Sequence, residues 1–138
     1  MKSSLARKRC KMGAWGFQFD ENDDAADWLA DFVDAPSWEA VDHALAMTGS
    51  GYVEAPDASA ALAAAEIVAA GLAKASPKLE IRMTEWASKN ASDAVPRRQH
   101  AIDAVKRVRD DSELNELWQE ADEYTDWQAS VNETLSRL

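Results

Sequence analysis

The chain has 138 residues, 46% of them hydrophobic, with six Trp, five Gly, four Pro and one cysteine. That length accommodates one domain with an ordinary core, and the single Cys10 excludes an internal disulfide and suits a reducing, cytoplasmic setting. The formal charge of −10 is unevenly placed: five of the 15 basic residues (Lys2, Arg7, Lys8, Arg9, Lys11) precede Met12 and all 25 acidic residues follow it, so the body carries −15 and repels the phosphates of nucleic acid.

In chain order, residues 1–11 read as a basic leader, either a disordered arm or the product of an upstream start. No apolar stretch follows it, as a secretory signal would require. Residues 12–138 read as one acidic α-helical domain. Asp20 to Asp42 holds nine carboxylates and no Lys or Arg, and Asp110 to Asp126 holds eight, again with no Lys or Arg.

The first helix is expected over Asp23 to Asp34, capped by Asn22 or Asp23. Trp28, Leu29, Phe32 and Val33 share one face; Asp24, Asp27, Asp31 and Asp34, spaced 3, 4, 3, share the next. Pro36 and Ser37 open a second helix that runs to about Thr48, and Gly49-Ser50-Gly51 ends it. A third, from Pro56-Asp57 to about Ala75, is apolar nearly all round and should be central, its alanines admitting close neighbours. Its apolar run is interrupted by Glu66 and falls short of membrane-spanning length. A fourth covers about Leu79 to Lys89, and a polar loop is expected over Asn90 to Pro96. The fifth, Pro96 to Arg109, concentrates the body's base in Arg97, Arg98, Lys106, Arg107 and Arg109. The sixth runs from Asp111 or Ser112 toward Leu138, with a break possible near Asp122 to Thr125. Glu116, Glu120 and Glu123 form its acidic row. The expectation is therefore an all-α, single compact domain of about five to six helices around an Ala-rich centre.

Three separated segments occur together: MGAWG at Met12–Gly16, followed by NDDAADW at Asn22–Trp28; AAAEIVAA at Ala63–Ala70; and SELNELWQE at Ser112–Glu120, followed by Trp127 and the terminal LSRL. In this order they resemble a bacterial family classed as a domain of unknown function, number forty-two fifty-nine in that series, over essentially all of Met12 to Leu138. Gln18 and Asp20 depart from the family's Gly and Phe, with Phe17 and Phe19 offset. The resemblance implies a compact helical domain with Met12 as its natural start, and it implies no activity.

The residues that could carry chemistry have plainer readings beside them. Trp15, between Gly13 and Gly16, plugs the core or stacks on a ligand; no GK[ST] follows to make a phosphate loop. Asp20-x-Asn22-x-Asp24 supplies the first three ligands of a calcium loop, but Ala25 stands where the glycine is needed and Asp31 where the distal Glu is needed. Glu66 needs a partner if buried, and an Arg of the fifth helix is the expected one. His43 and His100 are isolated, with no metal or triad pattern around them. The arginines of the fifth helix bind an anion or, more simply, neutralise acid within the fold. No catalytic residue, metal or cofactor is assigned.

Trp38 and Trp127, beside the acidic blocks, are expected at the surface as aromatic anchors, a role for which Trp is favoured. The expected partner-binding set is Asp24, Asp27, Asp31, Asp34, Trp38, Glu116, Glu120, Glu123 and Trp127. Small size, helical build and an acidic body suit a non-enzymatic binding protein that is a monomer or small oligomer when free. Its expected partner is a basic protein, such as the toxin domain that an immunity protein neutralises by acidic-surface binding. The alternative is a stand-alone cytosolic regulatory or small-ligand-binding protein whose acid serves solubility.

Overall fold

The computed structural model describes Ala14 and residues 16–138. The basic leader, Cys10 and Trp15, and with them the expectations placed on those residues, lie outside the described residues.

A helix that is apolar on every side must be covered on every side, and the structure is built around one such helix. We label the helices α1 (Asp23–Asp34), α2 (Trp38–Ala46), α3 (Ala55–Gly71), α4 (Ile81–Lys89), α5 (Ala91–Ala94), α6 (Arg98–Asp110), α7 (Glu113–Gln119) and α8 (Tyr124–Ser136), with a 3-10 turn at Val95–Arg97. Every residue from Ala61 to Gly71 in α3 is buried. Helices α1, α2, α4 and α6 pack along it, and α7 and α8 also pack against it. The fold is all-α. Among the described residues the β structure is one isolated bridge, Ala14 with Asn22.

Local chemistry sets several helix starts. Asn22 Oδ1 accepts the Ala25 amide at 2.8 Å, Ser37 Oγ accepts that of Ala40 at 3.1 Å, and Ser112 Oγ accepts that of Asn115 at 3.1 Å. Each satisfies an amide that has no partner inside its helix. α3 has no such cap of its own. Its first amide, Ala55 N–H, donates to Glu113 Oε1 of α7 at 2.8 Å, so a residue 58 positions away does the capping.

The other end of α3 closes in a Schellman turn. Lys74 N–H donates to Ala69 O at 2.9 Å and Ala73 N–H to Ala70 O at 3.1 Å. This geometry places Ala73 at φ 66°, a left-handed position usually held by glycine.

The structure differs from the sequence reading in its elements at two places and in the partner of Glu66. The expected loop over Asn90 to Pro96 is a turn of helix plus the 3-10 turn, because Ala94 is buried beside Gly71. The expected sixth helix is two, α7 and α8, separated by Glu120–Glu123. Glu66, fully buried, pairs with Arg137 rather than with an Arg of α6. Arg137 donates through both terminal nitrogens to the Glu66 carboxylate, one contact at 3.0 Å, and Thr134 Oγ1 donates to Glu66 Oε2 at 2.7 Å. The partner is thus the next-to-last residue, brought in because α8 lies along α3.

Candidate protein-binding surface

α1 presents its carboxylates as its periodicity requires. Asp27, Asp31 and Asp34 line its outer side, and Asp24 is half-buried at the first turn. The acid there is not confined to α1. The Asp24 carboxyl is raised above its usual range by burial first, then by Asp27, Asp23 and Asp57. Asp57 lies in the first turn of α3, so the starts of α1 and α3 bring their acid together.

From α3 the acid continues. Glu54 immediately precedes α3, and Glu113 caps it. Tyr52, 59% exposed, donates its hydroxyl to Glu116 Oε2 at 2.5 Å. Its phenol is pushed up to about 12 by that bond, with desolvation and the nearby Glu116, Glu113 and Glu54 adding to it. Seven carboxylates (Asp23, Asp24, Asp27, Glu54, Asp57, Glu113 and Glu116) thus run from the start of α1 across the start of α3 to α7. Arg107 braces the turn beside them, donating to Gly51 O at 2.5 Å and Thr48 O at 3.3 Å.

The expected acidic row of one long helix does not form. Glu116 lies on α7, Glu120 is its C-cap, and Glu123 is the N-cap of α8; the chain turns between them, and 3.6-residue periodicity no longer relates the three. Glu120 is exposed and Glu123 half-buried.

The two expected aromatic anchors are corrected more sharply. Trp127 is 2% exposed, stacked between Trp118 (centroids 6.3 Å, planes 10° apart) and Tyr124 (6.1 Å, 22°). A continuous helix would leave it at the stripe's edge; the break rotates α8 and turns it inward. Trp38 is half-buried. It packs on Trp86 at 5.0 Å, and the Arg97 guanidinium lies 5.1 Å over its ring. Arg97 in turn grips Asp42 through two bonds of 2.7 and 2.9 Å. The ring that stands exposed in the acid is Tyr52, which sequence reasoning missed. Its place in a Gly-Ser-Gly-Tyr turn just before Glu54 was the available signal.

The remaining candidates are placed as follows. Asn22 is occupied as a helix cap, and Lys78 lies 3.6 Å from Asp20 and 3.5 Å from Glu21; the calcium-like spacing is spent on fold contacts. Among the described residues, no group of three or more His, Cys, Asp or Glu is arranged to hold a metal ion. His43 and His100 are both exposed. The α6 arginines are engaged within the fold: Arg98 donates to the Leu138 carbonyl, Arg107 to Asp111 O, and Arg109 to Asp110 and Asn132. The N-terminal turn of Gly16–Phe19 closes over Trp118 and Trp127, leaving a pocket of about 10 Å³, room for about one water. Among the described residues, no helix is long and apolar enough to cross a membrane.

A family model described as "Domain of unknown function (DUF4259)" matches residues 13–130, most of the chain, and the chain belongs to this family. No curated protein and no solved structure matches it.

Proposed function

We propose that this member of the DUF4259 family is a non-enzymatic binding protein, an immunity protein that neutralises a cationic, nuclease-type toxin of a bacterial competition system. It acts in the cytoplasm, and contact-dependent growth inhibition is the setting that suits it. The observation that supports this reading is the run of seven carboxylates from three helices, with an exposed tyrosine, Tyr52, beside its Glu54, Glu113 and Glu116. A fold that gathers like charge at its surface accepts self-repulsion, and the field it gains accelerates encounter with an oppositely charged partner. A nuclease must carry positive charge where it grips phosphate, so an acidic surface competes for that face. Tyr52 adds amphipathic contact area beside the charge, as interface hot spots do.

The test is capture of the tagged protein from its native cell, followed by stopped-flow association with whatever basic protein co-purifies in stoichiometric amount. The reading expects that protein to have nuclease activity that is silent in the complex. The association rate should fall at least about tenfold between low and physiological salt. Asp24→Lys with Asp27→Lys should slow association, while Tyr52→Ala should speed dissociation and cost about 2 kcal/mol of binding. An association rate indifferent to salt overturns the reading.

A further inference from the structure

Between α1 and α2 a groove of about 200 Å³ is lined by Trp28, Asp31, Phe32, Ala35 and Ala40. Trp28 and Phe32 form its aromatic wall, stacked with centroids 5.2 Å apart and planes 17° apart. Phe32 is fixed from behind by Trp86, edge-on at 5.3 Å. The wall is therefore rigid, while Trp28 is only half-buried. Asp31 is exposed beside it. The groove is smaller than the roughly 300–1,000 Å³ typical of small-molecule sites, a size that suits one side chain.

The charge around it selects the occupant. Neither α1 nor α2 contains a Lys or Arg, and they carry Asp23, Asp24, Asp27, Asp31, Asp34, Glu39 and Asp42. Among the described residues, Arg82, which feels Asp34, bonds Glu80, and Arg97 holds Asp42. An aromatic wall beside a carboxylate matches a guanidinium, which is planar, stacks on rings and donates in a fork to carboxylates. A lysine ammonium is a compact, strongly hydrated point charge and makes poorer use of the wall.

We propose that this groove receives one arginine side chain of the partner, with the guanidinium against Trp28 and bonded to Asp31. The inference rests on the binding-protein reading and adds a specific socket to it, apart from the Tyr52 surface.

The test uses the full chain with its tryptophan indoles labelled by nitrogen-15, titrated with hexa-arginine and, separately, hexa-lysine peptide at 150 mM NaCl. Hexa-arginine should shift the Trp28 indole resonance more than those of the other tryptophans and bind at least about threefold more tightly than hexa-lysine. Asp31→Asn should weaken it about tenfold. Asp103→Asn, which removes the same charge from an exposed position on α6, should leave the binding unchanged. Ala35→Phe, made on the groove's rim, should fill the groove and abolish the Trp28 shift without unfolding the protein. Equal affinity for the two peptides, a Trp28 shift no larger than the others, no binding of hexa-arginine, or equal effects of Asp31→Asn and Asp103→Asn would each overturn the proposal. A salt-dependent basic partner captured alongside such a result removes the socket and leaves the binding-protein reading standing. Arginine-selective binding without any captured partner does the reverse.

Discussion

Glu66 shows what a single buried charge requires. A carboxylate with no exposed surface is tolerated because Arg137 and Thr134 satisfy its oxygens. Removing one partner strands the other, at a cost of about 3–5 kcal/mol. Arg137→Met should therefore lower the urea-unfolding free energy by about that amount. The double variant Glu66→Met/Arg137→Met should recover most of it, since well-packed apolar pairs often replace buried ion pairs at no loss. Asp24 is the opposite kind of residue. Its folded value lies above the unfolded one, chiefly through burial and then through Asp27, Asp23 and Asp57. Its contribution to stability is then fully present below the unfolded value and is lost as pH rises through the folded one. At neutral pH the charge is a net cost. Asp24→Asn should raise the Tm at pH 7, and the gain should vanish as pH falls below the carboxylate range, where both states are protonated. Scanning calorimetry across pH reads both. The same substitution should slow capture of a basic partner, which gives the unfavourable charge a reason to be there.

At the scale of elements, α3 decides the packing and its C-terminal turn exposes two opposed demands on neighbouring residues. Gly71 has no room for a side chain: a Cβ there would lie 2.5 Å from the Ala94 Cβ. Gly71→Ala should destabilise by about 1–3 kcal/mol through overpacking, even though alanine is the better helix former. Ala73, two residues on, is exposed and left-handed at φ 66°. Ala73→Gly removes a conformational cost of about 1–2 kcal/mol and adds unfolded-chain entropy worth about 0.4–1 kcal/mol; a net stabilisation of about 0.5 kcal/mol is expected. Urea midpoints of the two variants should move in opposite directions. The element boundaries divide by the same physics. α1 spans Asp23–Asp34, as its Asn22 cap and apolar face specify, and α2 follows Ser37; these signals are local. The helical turn at Ala91–Ala94 looks like loop in the sequence because its polar residues carry no periodicity. It forms because Ala94 fills the space Gly71 leaves, a contact between residues 23 apart.

For the whole molecule, charge is the property with the longest reach. A body of formal charge −15 repels itself, and salt at physiological strength screens beyond about 8 Å. Raising NaCl from about 10 mM to 500 mM should raise the Tm, while slowing association with a basic partner. A Tm that salt left unchanged or lowered would show that self-repulsion costs this fold nothing. The all-helical class, the central place of the Ala-rich segment and the acid on α1 were determined by the sequence alone. Each depends on periodicity and capping within a dozen residues, so neighbours along the chain carry the whole signal. The tertiary structure alone decided that Trp127 is core, that Glu66 pairs with Arg137, that Glu113 caps α3, and that Tyr52 stands beside Glu54, Glu113 and Glu116. Most of these join side chains tens of residues apart. The break at Glu120–Glu123 and the packing of α8 along α3 set the distances between them, and spacing in sequence does not encode a distance across a fold.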